Sequence, residues 1–71
     1  MDMVEVSSSN IARVGYDNPS RTLRIEFHNG TAYEYFDVPD HIYAGFLNPP
    51  NGSVGQFFSQ NVKGHYRYSR L

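Results

Sequence analysis

At 71 residues the chain is one domain, and a domain of that size buries only about 60% of the surface its unfolded chain exposes, so its core must be small. Six tyrosines and five phenylalanines without a tryptophan place much of the burial in aromatic rings, while the absence of cysteine excludes a disulfide framework and a thiolate metal site. The net charge of -1 conceals a division: residues 1–40 carry all seven acids and three bases, a net of -4, and residues 41–71 carry three bases and no acid, +3. A basic end with interleaved aromatics is a composition that binds polyanions, and it is also what an ordinary solvated surface carries.

No run approaches the roughly 20 apolar residues of a membrane span, and Met1 to Asn10 lacks the basic start and apolar middle of a signal peptide. The expectation is a mature, soluble chain, with the cytoplasm as its default location and no membrane partner. Asp2 to Val6 reads as a short extended lead-in, and Ser7-Ser8-Ser9-Asn10 as a turn. Ile11 to Asp17 then forms a strand with Ala12, Val14 and Tyr16 on one face, and Gly15 on the other marks a bulge. Asn18-Pro19-Ser20-Arg21 closes a four-residue loop in which Pro19 presets φ, placing Tyr16 opposite Leu23, Val14 opposite Ile25 and Ala12 opposite Phe27.

The clearest element is a β-hairpin over Thr22 to Phe36, with Leu23, Ile25 and Phe27 on one face and Arg24, Glu26 and His28 on the other. A two-residue turn at Asn29-Gly30 would pair Ile25 with Glu34 and bury a carboxylate. A three-residue loop, His28-Asn29-Gly30, with Gly30 left-handed, pairs Ile25 with Tyr33, Leu23 with Tyr35 and Arg24 with Glu34. The second register is selected, because it buries the apolar set and matches opposite charges outside. Phe36 then falls on the outer face.

Pro39 suits the first position of a helix from about Pro39 to Leu47, whose stripe of Tyr43, Phe46 and Leu47 lies on the sheet, and Asn48-Pro49-Pro50-Asn51-Gly52 ends it. Ser53-Val54-Gly55-Gln56 matches a capping box and starts a second helix, Val54 to about Asn61, despite the cost of Gly55. From His65 the tail alternates again, with Tyr66 and Tyr68 facing one way and Arg67 the other; a fourth strand and an ordered arm both fit that spacing. The predicted fold is α+β: a three-stranded antiparallel meander covered on one face by two short helices, with a C-terminal basic-aromatic arm alongside.

Several of these residues occur together in a known family. Ser8-Ser9 before a strand, Val14-Gly15-Tyr16-Asp17, the Leu23-x-Ile25-x-Phe27 strand with Asn29-Gly30, Tyr33-Glu34-Tyr35-Phe36, Val38-Pro39, Gly55 to Phe58, Asn61, Gly64, Tyr66 and Tyr68 resemble the KTSC domain. That domain is named for its place at the C-terminus of some lysyl-tRNA synthetases, and it also occurs as stand-alone small proteins of bacteria and their phages. The resemblance runs from Ser8 to Leu71 and divides the chain into a lead-in, 1–7, and a single domain, 8–71. It implies a link to tRNA by analogy alone and identifies no site.

The residues argue against an enzyme. His28, His41 and His65 fall in a turn, at a helix start and in the tail, without ligand spacing, so neither a metal nor a cofactor is expected. No serine stands in a strand-turn-helix elbow, glycine-rich phosphate loops are absent, and the carboxylates lie on outer faces or at helix starts. Tyr33 and Tyr35 resemble a base-stacking platform, yet the selected register makes them core. The candidate nucleic-acid surface is the tail: Lys63, Arg67 and Arg70 to neutralise phosphates, Tyr66 or Tyr68 to stack, His65 among them, and Arg13 and Arg21 to extend the surface. The expected function is thus a monomeric, non-catalytic module that binds RNA or tRNA weakly. A protein-interaction module, using aromatics such as Phe36 and Phe58, is the alternative.

Overall fold

The computed structural model describes residues 1–71. Seven elements follow in order: β1 (Met3–Glu5), β2 (Ile11–Asp17), β3 (Thr22–Phe27), β4 (Ala32–Tyr35), α1 (Asp40–Leu47), α2 (Val54–Asn61) and β5 (Tyr68–Arg70). The fold is α+β, and the predicted three-stranded meander becomes a five-stranded antiparallel sheet in the order β1-β2-β3-β4-β5. The lead-in and the C-terminal arm supply the two added strands. Each is three residues long and forms because the meander offers an unpaired edge; of the two alternatives that the alternation of the tail leaves open, the strand is the one adopted.

The central hairpin has the register that burial selects: Leu23 opposite Tyr35, Arg24 opposite Glu34 and Ile25 opposite Tyr33. Its three-residue loop closes through Phe27 N–H to the Thr31 carbonyl and Gly30 N–H to the Phe27 carbonyl, with Gly30 at φ 91. On the other side of β3, Tyr16 faces Leu23 and Val14 faces Ile25 as expected. The pairing then slips: Ile11, not Ala12, faces Phe27, because the bulge falls between Ile11 and Arg13 rather than at Gly15. This extra residue turns Ile11 into the core, where it is fully buried. Gly15 serves β1 instead, since a Cβ there would strike Met3 Sδ and crowd the Asp2 carbonyl.

The chain leaves β4 through Asp37, at φ 57, and buried Val38 anchors the crossover. Its N–H donates to the Arg21 carbonyl, and its carbonyl accepts the Tyr16 hydroxyl. Pro39 is therefore the N-cap rather than the first helical residue, and α1 turns Ile42 and Phe46 inward while Leu47 stays 50% exposed. Tyr43, from the predicted stripe, stacks on Tyr16 at 5.4 Å. In α2, Ser53 Oγ accepts from the Gln56 N–H, the cap that the motif announces. Gly45 lets the helices close, because its Cβ would lie inside the Phe57 ring, which meets Phe46 edge-on at 5.0 Å.

Candidate functional site

The helix-facing side of the sheet is built from two rows of side chains that change character from one end to the other. One row runs Val14, Ile25, Tyr33, Arg70; the other runs Tyr16, Leu23, Tyr35, Tyr68. Val14, Ile25 and Leu23 are fully buried, whereas Tyr68 is 62% exposed and Arg70 lies open. Geometry explains the gradient. Each eight-residue helix is about 12 Å long, and five strands span about 19 Å, so the helices cannot roof the whole sheet. α1 packs over β2 and α2 against α1, and Phe58 of α2 reaches as far as Tyr35 on β4, which leaves the β5 end uncovered.

What fills that end is a connected aromatic cluster. Phe58, projecting from α2, meets Phe27 at 5.7 Å and Tyr35 at 5.9 Å, both edge-on. Tyr33 lies edge-on to Phe27 at 5.9 Å and is tilted toward Tyr68 at 5.7 Å. Above these rings opens a groove of about 790 Å³, within the range of about 300–1,000 Å³ typical of ligand pockets. Ser9 and Asn10 edge one side, His28 and Asn29 the next, and Lys63 and Gly64 the end of α2. Gly55 belongs to the α2 wall, and a Cβ there would meet only Ser8 Oγ, at 3.9 Å, so the missing side chain leaves the groove open.

The predicted tail residues divide sharply. Lys63 and Tyr68 line the groove, and Arg70 lies on the neighbouring sheet edge, opposite Tyr33 across β4–β5. Neither Lys63 nor Arg70 has an ion-pair partner. Arg67 is engaged elsewhere, bonded to Asp37 at 2.8 Å with its guanidinium 5.7 Å from the Phe36 ring centre. Phe36 is accordingly half covered rather than free for a partner. Tyr66 packs against the core, and His65 is exposed in the turn beside a separate shallow hollow. Arg13 sits on the opposite face of the sheet, paired with Glu26 at 2.5 Å, and Arg21 occupies the β2–β3 turn at φ 55. Both are outside the groove. His28, His41 and His65 do not converge, and no helix is long and apolar enough to cross a membrane.

Sequence reasoning missed the groove's walls. Phe27, Tyr33 and Tyr35 were legible as one face, but Ser9, Asn10 and Gly55 reach it only through tertiary packing. His28 is fixed by two contacts to the Ser7–Asn10 turn. Its backbone N–H donates to the Asn10 carbonyl, and its Nε2 to the Ser8 carbonyl, each at 2.9 Å. Tyr35 is the most enclosed tyrosine of the site, 6% exposed; burial raises its phenol above the usual 10.0, with lesser contributions from Tyr33 and Tyr68 beside it.

Residues 7–66 match the model of the KTSC domain. The chain belongs to the KTSC family. The crystal structure of a KTSC domain protein from Yersinia pestis superposes with a TM-score of 0.89 at 34% identity, covering 99% of this chain and 96% of that one. An uncharacterized protein of Stutzerimonas stutzeri is 36% identical over 72 residues, covering 100% of this chain and 99% of its own. A lysine–tRNA ligase of Nostoc punctiforme is 35% identical over 69 residues, which is 97% of this chain but 12% of that enzyme. The KTSC unit thus occurs both as a protein of this size and as a small part of a much longer one.

Proposed function

We propose that this KTSC domain is a non-catalytic module that binds single-stranded RNA weakly at the open end of its sheet. The observation that carries this reading is an aromatic groove lined by an exposed tyrosine, Tyr68, and an unpaired cation, Lys63, with a second unpaired cation, Arg70, on the same short strand as Tyr68. A ring offers a face to any base, and two free cations attract the phosphates on either side of it. The likeness to a segment of a lysine–tRNA ligase favours tRNA as the class of RNA. The net charge of -1 fits weak, salt-sensitive binding rather than tight capture. A protein contact through Phe36 and Phe58 has less support, because Arg67 covers the first and Phe27 and Tyr35 flank the second.

The test is fluorescence anisotropy with labelled tRNA at low and at physiological salt. Lys63→Ala and Arg70→Ala each weaken binding about two- to fivefold and together flatten its salt dependence by about two charges. Arg67→Ala changes it less, since that guanidinium is held by Asp37. Equal losses at all three positions would place the phosphates on the tail at large, and no binding at low salt would remove RNA altogether.

A further inference from the structure

The Tyr35 hydroxyl is the group that the fold leaves unexplained. Tyr35 is 6% exposed, yet within the chain its hydroxyl makes no hydrogen bond, unlike that of Tyr16, which donates to the Val38 carbonyl. No polar side-chain atom is fully enclosed without a partner, so this hydroxyl reaches open space, and the open space Tyr35 lines is the groove. A hydroxyl that opens on the groove without a protein partner bonds water there, and a ligand that enters the groove can take that water's place.

We propose that the groove takes one unstacked nucleobase, its face on the Tyr68 ring and its polar edge hydrogen-bonded to the Tyr35 hydroxyl. This rests on the RNA reading above and names the unit that the groove recognises. Three features fit a base better than a purely apolar ligand. The first is polar side chains beside the rings: the Tyr35 hydroxyl, which makes no bond within the chain and can both donate and accept, and His28 and Asn29 on the same wall. The second is a flat aromatic surface, Tyr68, that is exposed at the mouth. The third is charge at the rim, with Lys63 lining the groove at the end of α2 and Arg70 beyond it on β5, placed for the phosphates flanking an inserted base. A base in a duplex presents neither its face nor its pairing edge, so the groove selects single strands, loops or ends.

The experiment measures binding of labelled single-stranded pentanucleotides of each base, and of a duplex control, to the parent domain and to Tyr35→Phe, Gly55→Leu and the Lys63→Ala/Arg70→Ala pair. Thermal unfolding of each variant confirms that it is folded. Single strands are expected to bind at least about tenfold more tightly than the duplex, with unequal affinities among the bases. Tyr35→Phe, which removes one oxygen and leaves the ring, lowers the affinity of the favoured base about three- to tenfold and narrows the spread among bases, with the salt slope unchanged. Gly55→Leu fills the groove and abolishes the spread. The double cation variant lowers all affinities alike. If Tyr35→Phe and Gly55→Leu bind as the parent does, with the same preferences, while the cation variant weakens binding, the base pocket is wrong and the RNA surface stands. If no single strand binds at low salt, both are wrong.

Discussion

The two ends of one sheet face are made from the same alternating pattern and have opposite fates. At the β2–β3 end the inward side chains are aliphatic, both helices' buried residues close over them, and Val14, Leu23 and Ile25 have no exposed surface. At the β4–β5 end the inward side chains are tyrosines and an arginine, and the roof stops at Phe58 over Tyr35, leaving β5 open. A small domain with two short helices can seal only part of a five-stranded sheet. Aliphatic residues occupy the sealed part, where their burial stabilises the fold, and residues with a ring and a polar tip occupy the rest, where they tolerate water and can meet a ligand. The reverse side of the sheet shows the contrast again: there Arg13 pairs with Glu26 and Arg24 with Glu34, leaving neither cation free.

Substitutions that treat the two ends alike should therefore give unlike results. The largest difference is expected between Phe46→Ala and Tyr68→Ala. Phe46 is 1% exposed, and its removal costs about 3–5 kcal/mol, enough to unfold much of a domain this small; Tyr68→Ala costs less than about 1 kcal/mol. Urea midpoints decide, and equal losses would erase the division into sealed and open ends. Next come the two helical glycines. Gly45→Ala drives a methyl group into the Phe57 ring and destabilises by about 1–3 kcal/mol, while Gly55→Ala meets open space and stabilises α2 by up to about 1 kcal/mol.

A finer pair compares two tyrosine hydroxyls. Tyr16→Phe breaks the bond that ties β2 to the crossover at Val38 and costs about 1 kcal/mol, whereas Tyr35→Phe is close to neutral near pH 7. The smallest effect is alkaline. Because burial raises the Tyr35 phenol above 10.0, the folded state keeps a proton that the unfolded state has begun to lose, so stability falls as pH rises through that interval and is unaffected below it. Tyr35→Phe should flatten this part of the urea-midpoint profile, and an identical alkaline decline would show that Tyr35 is not the group responsible.

How much of this was legible in the sequence depends on how local each feature is. The central hairpin could be read because Leu23, Ile25 and Phe27 alternate, Asn29-Gly30 marks the turn and only one register buries the apolar set; both helices could be read from Pro39 and from the Ser53 cap. The bulge at Ala12 and the rotation of α1 could not, since one depends on how β2 meets β3 and the other on Val38 docking against Arg21. The site follows the same rule. Lys63, Tyr68 and Arg70 were visible as a basic-aromatic stretch, but the pairing of Arg67 with Asp37 joins residues 30 positions apart and gives an acid partner to a cation that composition alone counts as free. Tyr35 needed both readings: the register made it core, and only the packing of Phe58 and the absence of a roof over β5 made it the floor of a groove.

We propose the open end, and not the charged reverse face, as the place where this domain meets its partner. The most direct measurement is an amide NMR titration of the labelled protein with single-stranded RNA at low salt, repeated at physiological salt. Shifts are expected at Tyr33, Tyr35, Gly55, Lys63, Gly64, Tyr68 and Arg70 that shrink as salt rises, with Arg13, Arg24 and Glu26 unmoved. Shifts concentrated on Arg13, Arg24 and Glu26, or none at low salt, would contradict it.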